Sequence, residues 1–357
     1  MKRIISLFLL TALIFGIALS LSSCKKDEGG GKKIPSRGKY LSYTYFNTES
    51  SITVVGEVSD EDFNTYFNEA KDLLGYYHKL FDIYYGYSGV TNIRTINQKA
   101  GKEPVKVDGA LIDFLSYCKE LFTLTSGKTN VMMGAVLKIW HDYRSDAINN
   151  PTAAKVPDAQ ELREAAAHTS IDSLVIDKEA GTVYISDPKA SLDVGAVGKG
   201  YATERIYERL CEMGADRIVL NIGGNIRTIG LMPDGTKWVT NLTNPDRTST
   251  EFAAKYYLGT TACVTSGNYE RYYLVPGDDT VYHHIIDPDT LMPASYFSSV
   301  TIITENSALA DALSTALFCV SYQEGLDIIK AIDEKIEVIW IDKDFNLTST
   351  KGVEFIK

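Results

Sequence analysis

The chain has 357 residues, of which 45% are hydrophobic and 23% charged, with a formal net charge of −10. That balance describes a globular protein and argues against a nucleic-acid partner, because phosphate backbones require basic faces. Cys118, Cys211, Cys263 and Cys319 follow Cys24 without any Cys-x-x-Cys spacing, which argues against a zinc site and favours buried free thiols.

The chain opens Met1-Lys-Arg and continues with an apolar run from Ile4 to Leu21. A charged start followed by a hydrophobic stretch is a secretory signal, not a lasting membrane span. It closes in Leu21-Ser-Ser-Cys24, which resembles a bacterial lipobox, with Cys24 lipidated as the mature N-terminus. Residues 1–23 are therefore expected to be a lipoprotein signal peptide, and residues 24–39, polar and glycine-rich, a flexible tether. The expected location is the cell envelope, anchored by the lipid outside the cytoplasm, with residues 40–357 as the folded domain.

Apolar residues recur at helical spacing from Glu61 to Lys79 and from Ala110 to Thr125, and a helix is expected over Ala159–His168 after Pro157-Asp158. Leu174–Asp177 and Thr182–Ser186 read as a hairpin about Gly181. Gly198–Met213 reads as a helix entered from a glycine-rich turn, and Arg217–Ile222 as a strand running into Gly223-Gly224. Strands are expected at Trp238–Leu242, Tyr256–Leu258, Ser299–Thr304 and Ile336–Asp342, with helices at Ser307–Val320 and Tyr322–Ile332. Phe345–Thr348 and Gly352–Ile356 would close the chain as a hairpin. Hairpins mixed with βα units predict an α+β fold of mixed sheets with flanking helices, in two closely associated lobes.

Several short patches combine small residues with Asp, Thr, Lys or Arg. On a helix, Asp311 and Thr315 lie four apart and share one face, with Ser314 beside them. A carboxylate and hydroxyls there suit a hard cation such as Mg²⁺, whose other positions waters and phosphates can fill. The bland alternative is a capping or solvated acid. Leu309, Ala310, Ala312 and Leu313 around Asp311 weigh against it, since a buried charge needs partners. Asp193 to Gly200 lacks the G-x-G-x-x-G spacing of a dinucleotide fingerprint. Its glycines would instead let Asp193 and a main-chain carbonyl face a ligand, with Lys199 meeting a phosphate at the helix start. A plain turn before a helix is the alternative. In Asn221-Ile-Gly-Gly-Asn225-Ile-Arg227, Asn225 and Arg227 offer donors. The polar residues of Thr265–Arg271 can point into a cleft. His284, in His-Ile-Ile-Asp-Pro, is either a base or a hydrogen-bonded core residue. Nothing is spaced around it as a nucleophilic triad would require.

These patches, in this order, resemble the ApbE family of flavin transferases. The family pattern D-L-G-G-I-A-K-G-Y-A corresponds to Asp193–Ala202, and N-I-G-G-D-I-R to Asn221–Arg227. T-S-G-D-Y-E-R corresponds to Thr265–Arg271, H-I-I-D-P-x-T-G-x-P to His284–Pro293, and A-D-A-L-S-T-A to Ala310–Ala316. Ser126–Trp140 is similar to an earlier family segment. Asn130, Asn225 and Asn268 stand where the family has Asp, and Leu291 where it has Gly.

The resemblance implies an ApbE-like fold and a Mg²⁺-dependent FAD:protein FMN transferase. Such an enzyme moves FMN from FAD to a Ser or Thr hydroxyl of a partner protein, expected to be a membrane-bound redox subunit, and releases AMP. It further implies that Asp311, Ser314, Thr315 and the main-chain carbonyl of Ala196 hold the metal. Thr129, Asn130, Asp193, Lys199 and Ile285 would contact FAD, and His284 would take the acceptor's proton. The alternatives are an FAD pyrophosphatase on the same site and a non-catalytic FAD-binding lipoprotein, the latter favoured by the three Asn replacements.

Overall fold

The computed structural model describes residues 34–356, so the signal peptide, the lipobox cysteine and the tether up to residue 33 lie outside the described residues. In chain order the elements begin β1 (Ser36–Ser42), β2 (Ser50–Val55), α1 (Asp60–Phe81), α2 (Ile93–Gln98), β3 (Val105–Lys106), α3 (Gly109–Leu124), α4 (Gly134–Asn149) and α5 (Ala159–Ala166). They continue β4 (Leu174–Asp177), β5 (Thr182–Ile185), α6 (Gly198–Glu212), β6 (Ile218–Ile222), β7 (Asn225–Ile229), β8 (Trp238–Leu242), β9 (Ala254–Leu258) and β10 (Ala262–Gly267). The last are β11 (Tyr272–Val275), β12 (Asp278–His283), β13 (Phe297–Thr304), α7 (Ser307–Phe318), α8 (Tyr322–Lys330), β14 (Glu337–Asp342) and β15 (Leu347–Ser349).

Eight strands form one sheet in the order β1-β2-β6-β7-β10-β13-β14-β15, and every neighbouring pair in it is antiparallel. Helices α1, α6 and α7 pack on it, with α6 against β7 and α7 against β10 and β13. The α+β expectation therefore holds, because a sheet built from hairpins can leave its helices to one face. Within β10 the pleat divides the work. Val264 joins the helix-side core, and Ser266 reaches α7. Cys263, on the other face, meets the Tyr256 hydroxyl of β9 at 2.9 Å.

Helix α1 shows why these residues form these elements. The Ser59 hydroxyl accepts from the Asp62 amide, three acids occupy the first turn, and His78 and Lys79 close the last. Phe63, Phe67, Ala70 and Leu74 are its buried stripe, packed against Ile52, Ile206 and Ile218. Helix α7 differs: Asn306 caps it by accepting from Ala308 and Leu309, and almost every residue is buried, including Asp311 and Ser314. A third cluster joins Trp140 of α4 to Tyr273 and Tyr282 of the β11–β12 ribbon and to Ile286.

Two expectations are corrected. The chain does not close as a hairpin: β15 pairs with β14, while Phe355 crosses to Tyr256 of β9, since Gly352 and its neighbours are held at Glu337 by the Gly352 amide. Cys118, Cys263 and Cys319 are buried free thiols, but Cys211 is exposed, because it falls on the solvent side of α6.

Candidate active site

Two closely packed helices and two strands meet at Asp311. Gly200, in the first turn of α6, lies so near α7 that a Cβ there would sit 2.3 Å from the Ser307 carbonyl oxygen and 2.5 Å from the Asp311 Cβ. Only glycine permits that approach. It lets the Gly200 amide donate to Asp311 Oδ2 at 2.8 Å. Asn225 Nδ2, from the start of β7, donates to the same oxygen at 3.3 Å. Lys199 Nζ stands 3.4 Å from Asp311 Oδ1. Asp311 is only 3% exposed, so these partners offset the cost of burying its charge. The free amide at the helix start thus serves the protein's own carboxylate, where the sequence suggested a phosphate.

The hydroxyls of α7 are drawn into the same junction. Ser314 Oγ donates to the Asp311 carbonyl at 2.9 Å and meets Ser266 Oγ of β10 at 2.8 Å, while Thr315 Oγ1 makes a long contact of 3.5 Å to the same carbonyl. Asp311 Oδ1 has one distant ammonium contact, and Thr315 is weakly engaged. This donor set fits a hard cation that takes few ligands from protein. Among the described residues no group of three or more His, Cys, Asp or Glu could hold a metal, so main chain, hydroxyls, water and ligand would supply the rest. Ala196 lies in the turn that leads into α6, half-buried against the main core.

The expected flavin contacts are placed less uniformly. Thr129 is buried and its hydroxyl donates to the Ala312 carbonyl at 2.7 Å, pinning its loop to α7. Asn130 uses both ends of its amide, donating to the Thr169 carbonyl and accepting from Met132 N, each at 2.9 Å. Ile285 is buried, and its amide donates to His283 Nδ1 at 3.2 Å. Asp193 is half-buried, and its Oδ1 accepts from Gly195 N at 2.9 Å. Burial pushes its carboxyl above the usual carboxylate range, against the pull of the Gly195 amide, His141 and Arg271.

His284 lies at the end of the β11–β12 ribbon. Tyr272 pairs with His283, so Arg271 and His284 adjoin the last paired step of the ribbon, and the Arg271 charge acts on His284. His283 is the core histidine of the pair. Its Nε2 donates to the Ala294 carbonyl at 2.8 Å and its Nδ1 accepts from Ile285 N, which fixes the tautomer and the turn after it. His284 Nδ1 is buried without a hydrogen-bond partner. Burial, then the charges of Arg271, His283, Arg144 and Lys199, drive its imidazole down to about 3, so it is neutral at ordinary pH. Its Nδ1 is open to a proton, but the surrounding cations oppose the resulting charge, so an anion beside it would be needed to restore its basicity.

The same loop explains a departure in the sequence. Leu291 adopts φ 61°, a backbone that glycine enters without strain. Its carbonyl accepts from Trp140 Nε1 at 2.9 Å and its amide donates to the Asp287 carbonyl at 2.8 Å, so the turn is held despite the side chain.

One expected donor is corrected. Arg227 does not face a ligand: it is 3% exposed, pairs with Glu204 of α6 at 3.2 and 3.3 Å, and lies 3.4 Å over the Tyr207 ring. Glu204 also accepts from Ser307 N at 2.6 Å, so this pair locks β7 and α6 to the start of α7. Sequence reasoning missed Glu204, which reads there as one more charge on an amphipathic helix. It also missed Arg144, His141 and Tyr84, which carry no motif.

The fold is an antiparallel sheet bearing one nearly buried helix, whose acid and hydroxyls meet a lysine from the start of the neighbouring helix. The sequence pattern of the ApbE family matches residues 46–340, and the chain belongs to that family. A FAD:protein FMN transferase of Klebsiella pneumoniae (strain 342) is 27% identical over 272 residues, 74% of this chain and 80% of the relative. One of Treponema pallidum (strain Nichols) is 30% identical, covering 73% of each. Among solved structures, the flavin transferase ApbE of Vibrio cholerae superposes with a TM-score of 0.72 at 25% identity, covering 89% of this chain and 98% of that one. The ApbE protein of Thermotoga maritima gives 0.74 at 24% identity, over 89% and 97%.

Proposed function

We propose that this protein is a FAD:protein FMN transferase that works with Mg²⁺ and releases AMP. The observation that carries the reading is the Asp311 junction. There a single carboxylate, held by Gly200 and Asn225, keeps one oxygen turned toward Lys199. The relatives' shared activity supports it. Asp311, Thr315, Ser314 and the Ala196 carbonyl would hold the cation, which when bound would neutralise charge on the pyrophosphate and its leaving group.

The chain's own residues account for the rest. Lys199 and Asp193 would orient FAD. The acceptor's Ser or Thr hydroxyl would attack the flavin-side phosphorus, its proton passing to His284. The bond from that phosphorus to the bridging oxygen breaks, FMN becomes esterified to the acceptor, and AMP leaves with the bridging oxygen. His284 is available for the proton transfer because Nδ1 has no competing partner, and the substrate's phosphate charge would offset the cations that now depress its basicity. Thr129, Asn130 and Ile285 support the site through the turns they hold. We further propose lipidation at Cys24 and an envelope location facing a membrane-bound acceptor, on the motif Leu21-Ser-Ser-Cys24.

Incubation with FAD, Mg²⁺ and a candidate acceptor tests the reading. Yellow in-gel fluorescence of the acceptor with equimolar AMP is expected. Free FMN and AMP without labelling would make the protein a pyrophosphatase, and unchanged FAD a binder.

A further inference from the structure

Helix α4 carries two polar residues that the junction at Asp311 does not use. Trp140 stacks on Tyr282 of the ribbon at 6.1 Å between ring centroids, and its indole N–H is bonded to the Leu291 carbonyl. That fixes one face of α4 against β11 and β12. Arg144 lies one turn on from Trp140, on the same face. It therefore stands toward the end of the ribbon where Arg271 and His284 adjoin the last paired residues, and its charge interacts with both.

Arg144 is half-buried, and among the described residues its guanidinium makes one hydrogen bond, at 3.1 Å to His141 Nδ1. His141 in turn lies 5.5 Å from the Tyr84 ring. Arg271 is exposed and makes one long contact, 3.5 Å to the Asn47 carbonyl. Among the described residues neither guanidinium has a carboxylate within salt-bridge distance. Each lowers the affinity of its surroundings for protons: Arg144 is itself depressed by burial and by Arg271, and both act on His284. Asp193 acts on Arg271 through space without forming an ion pair with it, and two like charges with so little direct pairing cost free energy that an anion between them would lower.

We propose that Arg144 and Arg271 form a two-guanidinium clamp for the flavin-side phosphoryl group of the substrate, next to His284. The choice of phosphate rests on the transferase reading above. The imidazole that takes the acceptor's proton must lie beside the phosphorus under attack, and that phosphorus carries the flavin. Planar guanidinium forks match phosphoryl oxygens and would oppose the charge that builds on them. Arg144 would thereby complete, from the part of α4 beyond the family-like segment that ends at Trp140, a site otherwise built from glycine-rich turns.

Binding of FMN, riboflavin and AMP to the full chain and to Arg144→Gln tests this by titration calorimetry. FMN should weaken by about tenfold or more, with riboflavin and AMP within about twofold of the parent. Arg144→Lys, which keeps the charge and loses the fork, should fall between the two. Equal losses for FMN and riboflavin would overturn the clamp, as would a loss for AMP, or a parent protein that binds FMN no better than riboflavin. A rise in acceptor KM without any change in FMN binding would assign the arginines to the acceptor and overturn it too. If Arg144→Gln does not fold, Arg271→Gln is read by the same criteria. Flavin-phosphate binding that depends on Arg144 in a protein unable to label any acceptor would leave the clamp standing and remove the transferase reading. Labelling with FMN binding indifferent to both arginines would do the reverse.

Discussion

The Asp311 junction and the recess at the end of the β11–β12 ribbon are built on opposite plans. At the junction nearly every polar group has a partner inside the protein, and a glycine allows the helices to touch. At the end of the ribbon two guanidiniums and one imidazole act on one another electrostatically and make few hydrogen bonds. The first plan yields a rigid carboxylate whose position does not depend on ligand. The second yields a field that favours an incoming anion and holds a histidine neutral. A metal site needs accurate distances, while a phosphoryl clamp needs unspent charge.

If the junction is the metal face, Asp311→Ala should have the largest effect on chemistry. It removes the one carboxylate there, and neutral Thr315 cannot hold Mg²⁺ unaided. Transfer and pyrophosphate cleavage should fall together by about a thousandfold, or ~4 kcal/mol of barrier. A variant keeping more than about a tenth of the rate at saturating Mg²⁺ and FAD would break the assignment.

The junction should also be where stability concentrates. Glu204→Ala leaves Arg227 buried and unpaired and frees the Ser307 amide, so we expect a loss of about 3–5 kcal/mol in urea unfolding. Arg144→Gln, by contrast, should change stability little or raise it, since it relieves repulsion with Arg271. Comparable losses in the two variants would erase the distinction between the regions.

Lys199 sits between the two plans, bonded loosely to Asp311 and close enough to depress His284. Lys199→Ala should weaken FAD by about 1–3 kcal/mol and riboflavin by much less, because only FAD carries phosphate. Unchanged FAD affinity in calorimetry would confine Lys199 to the junction.

The smallest effect is on pH dependence. Folding lowers the proton affinity of His78, His141, His283 and His284, chiefly through burial. The unfolded histidines take up protons below about pH 6.5 and the folded ones do not, so stability is complete above that pH and declines as pH falls toward 3. Denaturant midpoints at pH 7.5 and 5.0 measure the decline. An imidazole resonance of His284 titrating near pH 6.5 in the ligand-free protein would contradict the recess as described.

Much of this was legible from the chain. Helices α1, α3, α6 and α7 follow from apolar spacing, and β6, β13 and β14 from short apolar runs between turn residues. Asp311 stood out because an acid inside so apolar a helix must have partners. Other features left no such trace. β12 reads Asp-Asp-Thr-Val-Tyr-His, too polar to signal a strand, and β1 is mostly exposed. Arg227 and Arg144 carry the same charge in the sequence, yet one is neutralised by Glu204 and the other is not.

The sequence by itself determined the family, the α+β class and the residue types gathered near Asp311, because periodicity and glycine placement are local properties that short-range sterics enforce. Tertiary structure alone decided which polar groups are spent and which remain available. Gly200 hands a helix amide to Asp311 only because α6 and α7 pack in contact. Arg144 meets the His284 recess only because Trp140 docks α4 on the ribbon. Pairing of charges over more than a hundred residues of chain depends on that packing, and no local pattern encodes it.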